Sequence, residues 1–216
     1  MTASKGATRV VNHKILRAGT GIIAIILPLM VQWLSTVKNL SSVSMSYWTD
    51  SGDIFVGSLT AIAFFLAAYN GTSEIKKDME YWVSKCAGLF ALLVALIPTH
   101  CTLLACGTVP QWVMTITLNN PRFVHNAAAI LLFVCLFLLI RVFAKRAKAK
   151  GRENRSLIYN SISLGMLIGM PAIAIIGKLT DWQEWIYWLE VVGLMLFGLG
   201  WLIAGTYKNI SVPAQV

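Results

Sequence analysis

The chain has 216 residues, of which 57% are hydrophobic and only 12% are charged. A soluble domain carries roughly 25% charged residues, so this composition excludes an ordinary soluble protein and predicts a single membrane domain over residues 1–216. In a soluble protein the net charge of +9 would suggest a nucleic-acid partner. Here the basic residues lie mostly in short loops, where they indicate orientation across a membrane, and no nucleic-acid partner is predicted.

Six apolar segments predict an all-α bundle of six transmembrane helices, because about 20 apolar residues cross a bilayer. The predicted helices cover residues 20–36, 53–70, 83–104, 123–143, 157–176 and 185–207. The first follows a basic stretch, as in a signal peptide, but no small-x-small cleavage site follows it, so we interpret it as an uncleaved helix. Within the connection 99–122, residues 113–118 are expected either to lie on the bilayer surface or to pack over the bundle.

The distribution of basic residues predicts that both termini are cytoplasmic. With six helices and a cytoplasmic N-terminus, fifteen Lys and Arg residues fall on the inner side, in agreement with the positive-inside rule. Only Lys38, Arg122 and Lys178 fall on the outer side. The basic run at residues 144–155 is interpreted as a solvated loop that sets orientation, with binding of anionic lipid headgroups as the alternative.

Small residues recur along four of the predicted helices, where they favour close contact between helices in a membrane. Gly165 and Gly169 form a small-xxx-small pair on the fifth helix. On three other helices the small residues share a face with an ionisable residue: Asp53 with Gly57 and Ala61, His125 with Ala128 and Ala129, and Glu190 with Gly193 and Gly200. This pattern predicts that the ionisable residues point into the bundle.

Two acidic residues near helix starts are candidate site residues. Glu190 lies one or two turns inside the last apolar segment, and a carboxylate in hydrocarbon is a functional candidate because its burial is costly. The alternative is a shallow position among the interfacial residues 185–188, with a hydrogen bond to a neighbouring helix. Asp53 begins the second helix, where it either contributes to a site or stabilises the helix N-terminus.

Histidine and tyrosine residues extend this candidate site. His125 begins the fourth helix and His100 follows Pro98, so the six-helix topology places both near the outer leaflet with Asp53 and Glu190. Tyr47, in a serine-rich loop, either adds to the polar patch or is an ordinary loop residue. Two histidines and two carboxylates suit zinc, but no HxxxH or HExxH pair fixes two ligands on one face, so the metal and any cofactor stay undetermined.

Cys101 and Cys106 flank four residues near the end of a predicted helix. A disulfide between them requires that this end of the bundle faces an oxidising compartment. Their spacing leaves the question open.

Three motifs carry a resemblance to a known group of proteins. Ser42–Gly57 matches S-x-S-x-x-[YW]-[YW]-T-x-x-x-D-[IV]-F-V-G, and Gly88–Thr99 matches G-L-F-A-L-x-V-A-L-x-P-T. A W-x-E element, Trp188 to Glu190, precedes F-G-x-x-W-L, which begins at Phe197. With these motifs, most of the chain resembles small bacterial multi-pass membrane proteins of DUF998-like layout. The resemblance implies a bacterial inner (plasma) membrane location, and the family carries no established activity to transfer.

The leading hypothesis is a non-enzymatic membrane protein with an outer-side polar pocket. Asp53, His125, Glu190, Tyr47 and His100 would line this pocket, which would bind or pass a small solute, an ion or a lipid headgroup. One alternative is a metal-dependent membrane hydrolase that uses the same residues. Another is an oligomeric pore or signalling component whose small residues lie between subunits. The expected partners are the lipid bilayer and, as an open alternative, further copies of the chain.

Overall fold

The computed structural model describes residues 13–71, 78–103 and 106–206, and over these residues it is helical, with no strand. In this part of the chain five helical runs are long and apolar enough to cross a membrane, so the chain is an integral membrane protein in contact with lipid. A further helix, Gly52–Ala68, is apolar but has only 17 residues. The helices are α1 (His13–Leu34), α2 (Gly52–Ala68), α3 (Met79–Leu96), α4 (Gln111–Ile116), α5 (Pro121–Ala149), α6 (Glu153–Leu164), α7 (Met170–Leu179) and α8 (Trp185–Gly205).

Helix α5 is longer than the sequence pattern predicted, and this corrects the interpretation of residues 144–155 as a loop. The run continues α5 to Ala149, because Ala, Lys and Arg are strong helix formers. Gly151 then ends the helix with φ of 64°. The N–H groups of Gly151 and Arg152 donate to the carbonyls of Lys148 and Ala147, which is the Schellman arrangement. The basic residues are therefore held on two helices and one tight turn.

Helices α6 and α7 belong to one apolar helical run, Glu153–Leu179, that is long enough to cross a membrane. A π-helical turn, Gly165–Gly169, joins them two residues before Pro171. Proline has no N–H to donate to the preceding turn and its ring clashes with that turn, so the widened turn absorbs the interruption. As a result α6 packs against α5 whereas α7 packs against α8.

Two close contacts between helix backbones use glycines that the sequence stripes did not include. Gly21 of α1 and Gly198 of α8 face each other, and a Cβ added to either residue would lie 2.8 Å from the carbonyl oxygen of the other. On the other side of the bundle, a Cβ at Gly88 of α3 would lie 2.8 Å from the carbonyl oxygen of Ala63 in α2. Glycine at these positions lets the helix backbones approach closely.

The predicted stripes are confirmed on two helices and wrong on a third. Glu190 on α8 and His125 on α5 are buried together with small residues on their faces. On α2, however, Asp53 and Gly57 are exposed, and a Cβ at Gly57 would meet nothing within 4 Å. Helix α2 instead buries the face that carries Phe55, because that face holds its large apolar residues.

The bundle has two ends that differ in chemistry. The Glu190 end contains the α1–α2 connection, the C-terminus of α3 and the N-termini of α5 and α8. The Arg146 end contains the α5–α6 turn, the N-terminal part of α1 and the C-termini of α2 and α8. Helix α4 lies within the 99–122 connection with Val113 fully buried and Leu118, just beyond it, 87% exposed.

Candidate functional site

Glu190 holds the α1–α2 connection against α8. Its Oε2 accepts hydrogen bonds from the backbone N–H of Val43 at 2.5 Å and of Ser44 at 3.4 Å, and its Oε1 accepts one from Ser44 Oγ at 3.2 Å. Val43 and Ser44 begin a short 3₁₀ turn, Ser44–Trp48, whose first N–H groups have no partner within the turn. The buried carboxylate supplies that partner, so Glu190 is bonded to a loop as well as being a candidate ligand.

Tyr187 attaches α8 both to the α1–α2 connection and to α1. Its N–H donates to the carbonyl of Ser41 at 3.0 Å, and its hydroxyl donates to the carbonyl of Pro28 at 2.9 Å. Residues 41–48 are therefore fixed against the first two turns of α8, and Ser42 and Ser44 are buried beside Glu190.

His125 is buried at the start of α5, and its ring is oriented by α3. Its Nδ1 lies 2.6 Å from the carbonyl oxygen of Ile97, the residue that caps α3. A carbonyl only accepts hydrogen bonds, so Nδ1 carries the proton and, in the neutral ring, Nε2 is the acceptor. The bond satisfies a carbonyl at a helix C-terminus and leaves Nε2 for other contacts.

Glu190 and His125 line one cavity of about 580 Å³. It is bounded by α5, by the π-helical turn and the start of α7, and by α8. Its polar lining consists of Ser42, Ser44, Thr99, His125, Asn126 and Glu190. All six lie at the Glu190 end of the bundle, so the cavity is polar at that end.

The remaining walls of the cavity are apolar and extend towards the middle of the bundle. On α5 the lining runs from His125 to Phe137, which is about 18 Å along a helix axis. The lining residues Ile130, Val134 and Leu167 are strongly exposed, and so is Asn126. The mouth of the cavity therefore includes apolar residues of α5 and the π-helical turn and, at the polar end, Asn126.

The other predicted site residues lie outside this lining. Asp53 is exposed in the first turn of α2, where its negative charge interacts favourably with the helix dipole. His100 is exposed in the connection after α3. Tyr47 is half-buried and packs edge-to-face on Trp48, with 5.2 Å between ring centroids, and burial raises the pKa of its hydroxyl. Of the five predicted residues, the cavity brings together His125 and Glu190.

Within residues 13–71, 78–103 and 106–206, no three His, Cys, Asp or Glu side chains lie close enough together to hold a metal ion. The zinc set considered from the sequence needed Asp53 and His100 beside the cavity residues, and both are exposed elsewhere.

A disulfide joins Cys101 and Cys106 at the Glu190 end. It lies in the connection between α3 and α4, close in sequence to Thr99, which lines the cavity. The carbonyl of Thr99 also accepts a hydrogen bond from Trp48 Nε1 at 2.8 Å, so this connection is attached to the 3₁₀ turn beside Glu190.

A second buried polar cluster lies at the Arg146 end, and the sequence analysis missed it. Glu80 of α3 is 1% exposed, forms a salt bridge with Arg146 of α5 and accepts a hydrogen bond from the Tyr69 hydroxyl. Arg17 of α1 donates to the same hydroxyl at 2.8 Å. The Tyr69 hydroxyl thus donates to Glu80 and accepts from Arg17. The cluster connects α1, the end of α2, α3 and α5.

Comparison of the chain with protein-family models, with curated proteins and with solved structures finds no match.

Proposed function

We propose that this membrane protein binds a single lipid-like amphipathic molecule in the cavity between α5, α7 and α8. The polar group of the ligand would lie at the Glu190 end, and its apolar part would extend between α5 and the π-helical turn. The observation that carries the proposal is one cavity of about 580 Å³ with polar groups at one end and apolar walls elsewhere. Sites for drug-sized ligands have about 300–1,000 Å³ and a few placed polar groups.

The polar end offers both donors and acceptors to a ligand headgroup. Ser42 and Ser44 have hydroxyls, Asn126 has an amide, and His125 has Nε2 free of the Ile97 contact. Glu190 already accepts the N–H bonds of the α1–α2 connection, so its carboxylate is held in place before a ligand enters. Preorganised polar groups of this kind lower the cost of binding.

The position of the mouth favours entry of the ligand from the membrane. The exposed rim residues Ile130, Val134 and Leu167 are apolar, so a lipid chain would pass them without leaving an apolar environment. Asn126, also exposed, is a polar group on this rim at the Glu190 end, where it could contact the headgroup. The sequence left a small solute, an ion or a lipid headgroup as the expected ligand. The apolar part of the rim favours an amphipathic ligand among these.

The proposal includes a topology of six transmembrane helices with both termini in the cytoplasm of a bacterium. At 17 residues, α2 is at the short end of the range for a membrane-spanning helix. Lys38, Arg122 and Lys178 lie at the Glu190 end, whereas the basic α5–α6 run lies at the Arg146 end. Basic residues counted before residue 13, in 72–77 and after 206 lie outside the described residues.

The disulfide gives independent support for this orientation. Disulfides persist in oxidising compartments such as the bacterial periplasm, and Cys101–Cys106 lies at the Glu190 end. The charge bias and the disulfide therefore favour the same outer side. The cavity would then open in the outer half of the membrane. The family resemblance implies that this is a bacterial inner (plasma) membrane.

The test fills the cavity and measures the lipid that remains bound. Ala129 lines the cavity on α5, and Ala129→Trp would occupy part of it. Ala61→Trp is the matched control, because Ala61 is also a half-buried helical alanine but lies on α2, away from the cavity. The full chain is purified in a mild detergent, and bound lipids are extracted and quantified by mass spectrometry.

We expect about one bound amphipathic lipid per protein chain in the wild type and in Ala61→Trp. In Ala129→Trp the amount of this bound lipid should fall at least tenfold. Helical content and elution volume confirm that each variant folds. An unchanged lipid content in Ala129→Trp, or no retained species in the wild type, would contradict the proposal.

A further inference from the structure

A second, smaller cavity lies at the Arg146 end, between α1, α5, α6 and α8. Its volume is about 70 Å³, and five cationic side chains line it: Arg17, Arg146, Lys150, Arg152 and Arg155. Among the residues that the structure describes, no acidic residue is part of the lining. Such a concentration of positive charge is unfavourable by itself and attracts an anion.

Within the described residues, the contacts of Arg17 and Arg146 use only part of their hydrogen-bonding capacity. Glu80 forms its salt bridge with Arg146, and Arg17 uses two of its nitrogens on the carbonyl of Ala204 and the hydroxyl of Tyr69. Within the described residues, Arg17 Nε is buried without a hydrogen-bond partner. A guanidinium has five N–H donors, so these contacts leave donors for a ligand.

The cations are positioned by rigid elements rather than by a mobile loop. The Schellman turn at Gly151 fixes the backbone of Lys150 and Arg152. Beyond the turn, Ser156 Oγ donates to the carbonyl of Ala144 at 3.1 Å, which attaches α6 to α5 next to Arg155. A cavity whose charged lining is held in a fixed geometry favours a binding site. The sequence had predicted a solvated loop here.

We propose that this cavity binds a phosphate group, carried either by an anionic phospholipid headgroup or by free phosphate. Arginine forks match the oxygens of phosphate in pairs. The volume of about 70 Å³ admits one such group and lies far below the roughly 300 Å³ at which sites for larger ligands begin. Basic pockets between helices at the cytoplasmic boundary of a membrane are suited to phospholipid headgroups. The site is separate from the amphipathic-ligand cavity and does not depend on it.

The test uses the full chain in detergent and two probes. Phosphatidylglycerol and phosphatidylcholine at equal concentration are compared for retention by native mass spectrometry, and inorganic phosphate is compared with chloride at equal ionic strength by thermal unfolding. The variant Arg152→Gln/Arg155→Gln removes two cations from the cavity and leaves the Glu80 cluster intact. The control Arg122→Gln/Lys178→Gln removes the same charge from the Glu190 end.

We expect the wild type to prefer phosphatidylglycerol, and the cavity variant to bind it roughly 25-fold more weakly, about fivefold for each cation lost. The control should bind as the wild type does. Arg155→Lys, which keeps the charge but not the paired donors, should fall between them. If inorganic phosphate raises the unfolding temperature but the protein does not prefer phosphatidylglycerol over phosphatidylcholine, the site binds free phosphate. The proposal is overturned if neither probe is distinguished from its reference, or if the cavity variant binds as the control does.

Discussion

Glu190 accepts a hydrogen bond from the backbone N–H of Val43, 147 positions away in the chain, at 2.5 Å. The bond joins the last long helix to the connection between the first two and closes the polar end of the cavity. The two proposed roles of Glu190, attachment of a loop and contact with a ligand, are therefore carried by one carboxylate. They can be separated by comparing stability with ligand retention.

Glu190→Ala should destabilise the protein by about 2–3 kcal/mol, because it leaves the N–H groups of Val43 and Ser44 buried without an acceptor. Glu190→Gln retains one acceptor oxygen and should cost about 1 kcal/mol. Asp53→Asn is the control, and at this exposed position a change within about 0.5 kcal/mol is expected. Reversible unfolding in mixed micelles gives the free energies. Equal losses for Glu190→Ala and Asp53→Asn would show that the loop contact contributes nothing.

His125→Asn should separate the structural contact of this residue from ligand binding. The asparagine amide can replace Nδ1 as the donor to the carbonyl of Ile97, but it has no group at the position of Nε2. We expect stability within about 1 kcal/mol of the wild type and at least a fivefold loss of retained amphipathic ligand. His125→Leu, which removes both nitrogens, should lose stability as well. If His125→Asn retains the ligand fully, Nε2 of His125 does not contact the ligand.

The helices follow from the sequence more directly than the site does. Apolar runs determine where a chain crosses a membrane, and the predicted segments overlap the observed helices. The basic run at 144–155 was predicted as a loop because of its charge, but charge does not oppose a helix at a membrane boundary, and Gly151 was the signal for where α5 ends.

The site is harder to predict because its contacts join distant segments. Nothing local shows that Glu190 meets the N–H groups at 43 and 44, or that Nδ1 of His125 meets the carbonyl of Ile97. Asp53 was predicted to point into the bundle because small residues lie on the same face of its helix. Small residues also occur on lipid-facing helix surfaces, so this pattern does not fix the direction. Glu80 lies before residue 83, where the third helix was predicted to begin, and only its pairing with Arg146 explains its burial.

Arg146→Met should be among the most destabilising substitutions, at about 3–5 kcal/mol, because it leaves the Glu80 carboxylate buried and unpaired. The double variant Glu80→Gln/Arg146→Met should recover much of this loss, since the charge that needs a partner is then absent. Lys145→Met, one position away but exposed, should change stability by less than about 0.5 kcal/mol. The same unfolding assay completes a double-mutant cycle. Additive losses would show that the two residues do not interact.

Gly198→Ala should destabilise the bundle although alanine favours helices. The new Cβ would lie 2.6 Å from Ile25 Cγ1 and 2.8 Å from the carbonyl oxygen of Gly21, so α1 and α8 would have to move apart. Gly57→Ala has open space around it and should be neutral or stabilise by up to about 1 kcal/mol. Thermal unfolding in detergent compares the two. A Gly198→Ala protein as stable as the wild type would show that α1 and α8 do not approach so closely.

The proposed orientation predicts which engineered cysteines a membrane-impermeant maleimide reaches in intact bacterial cells. Lys38→Cys is exposed at the Glu190 end and should be labelled, whereas Lys148→Cys, exposed at the Arg146 end, should be labelled only after the membrane is permeabilised. Cys86 and Cys135 are replaced first, because both are free thiols. Cys101 and Cys106 stay in place, and without reduction they should not react, since they form a disulfide. Labelling of Lys148→Cys in intact cells, with Lys38→Cys protected, would show that the protein has the opposite orientation in the membrane. The cavity would then open towards the cytoplasmic leaflet and the phosphate site towards the outer one.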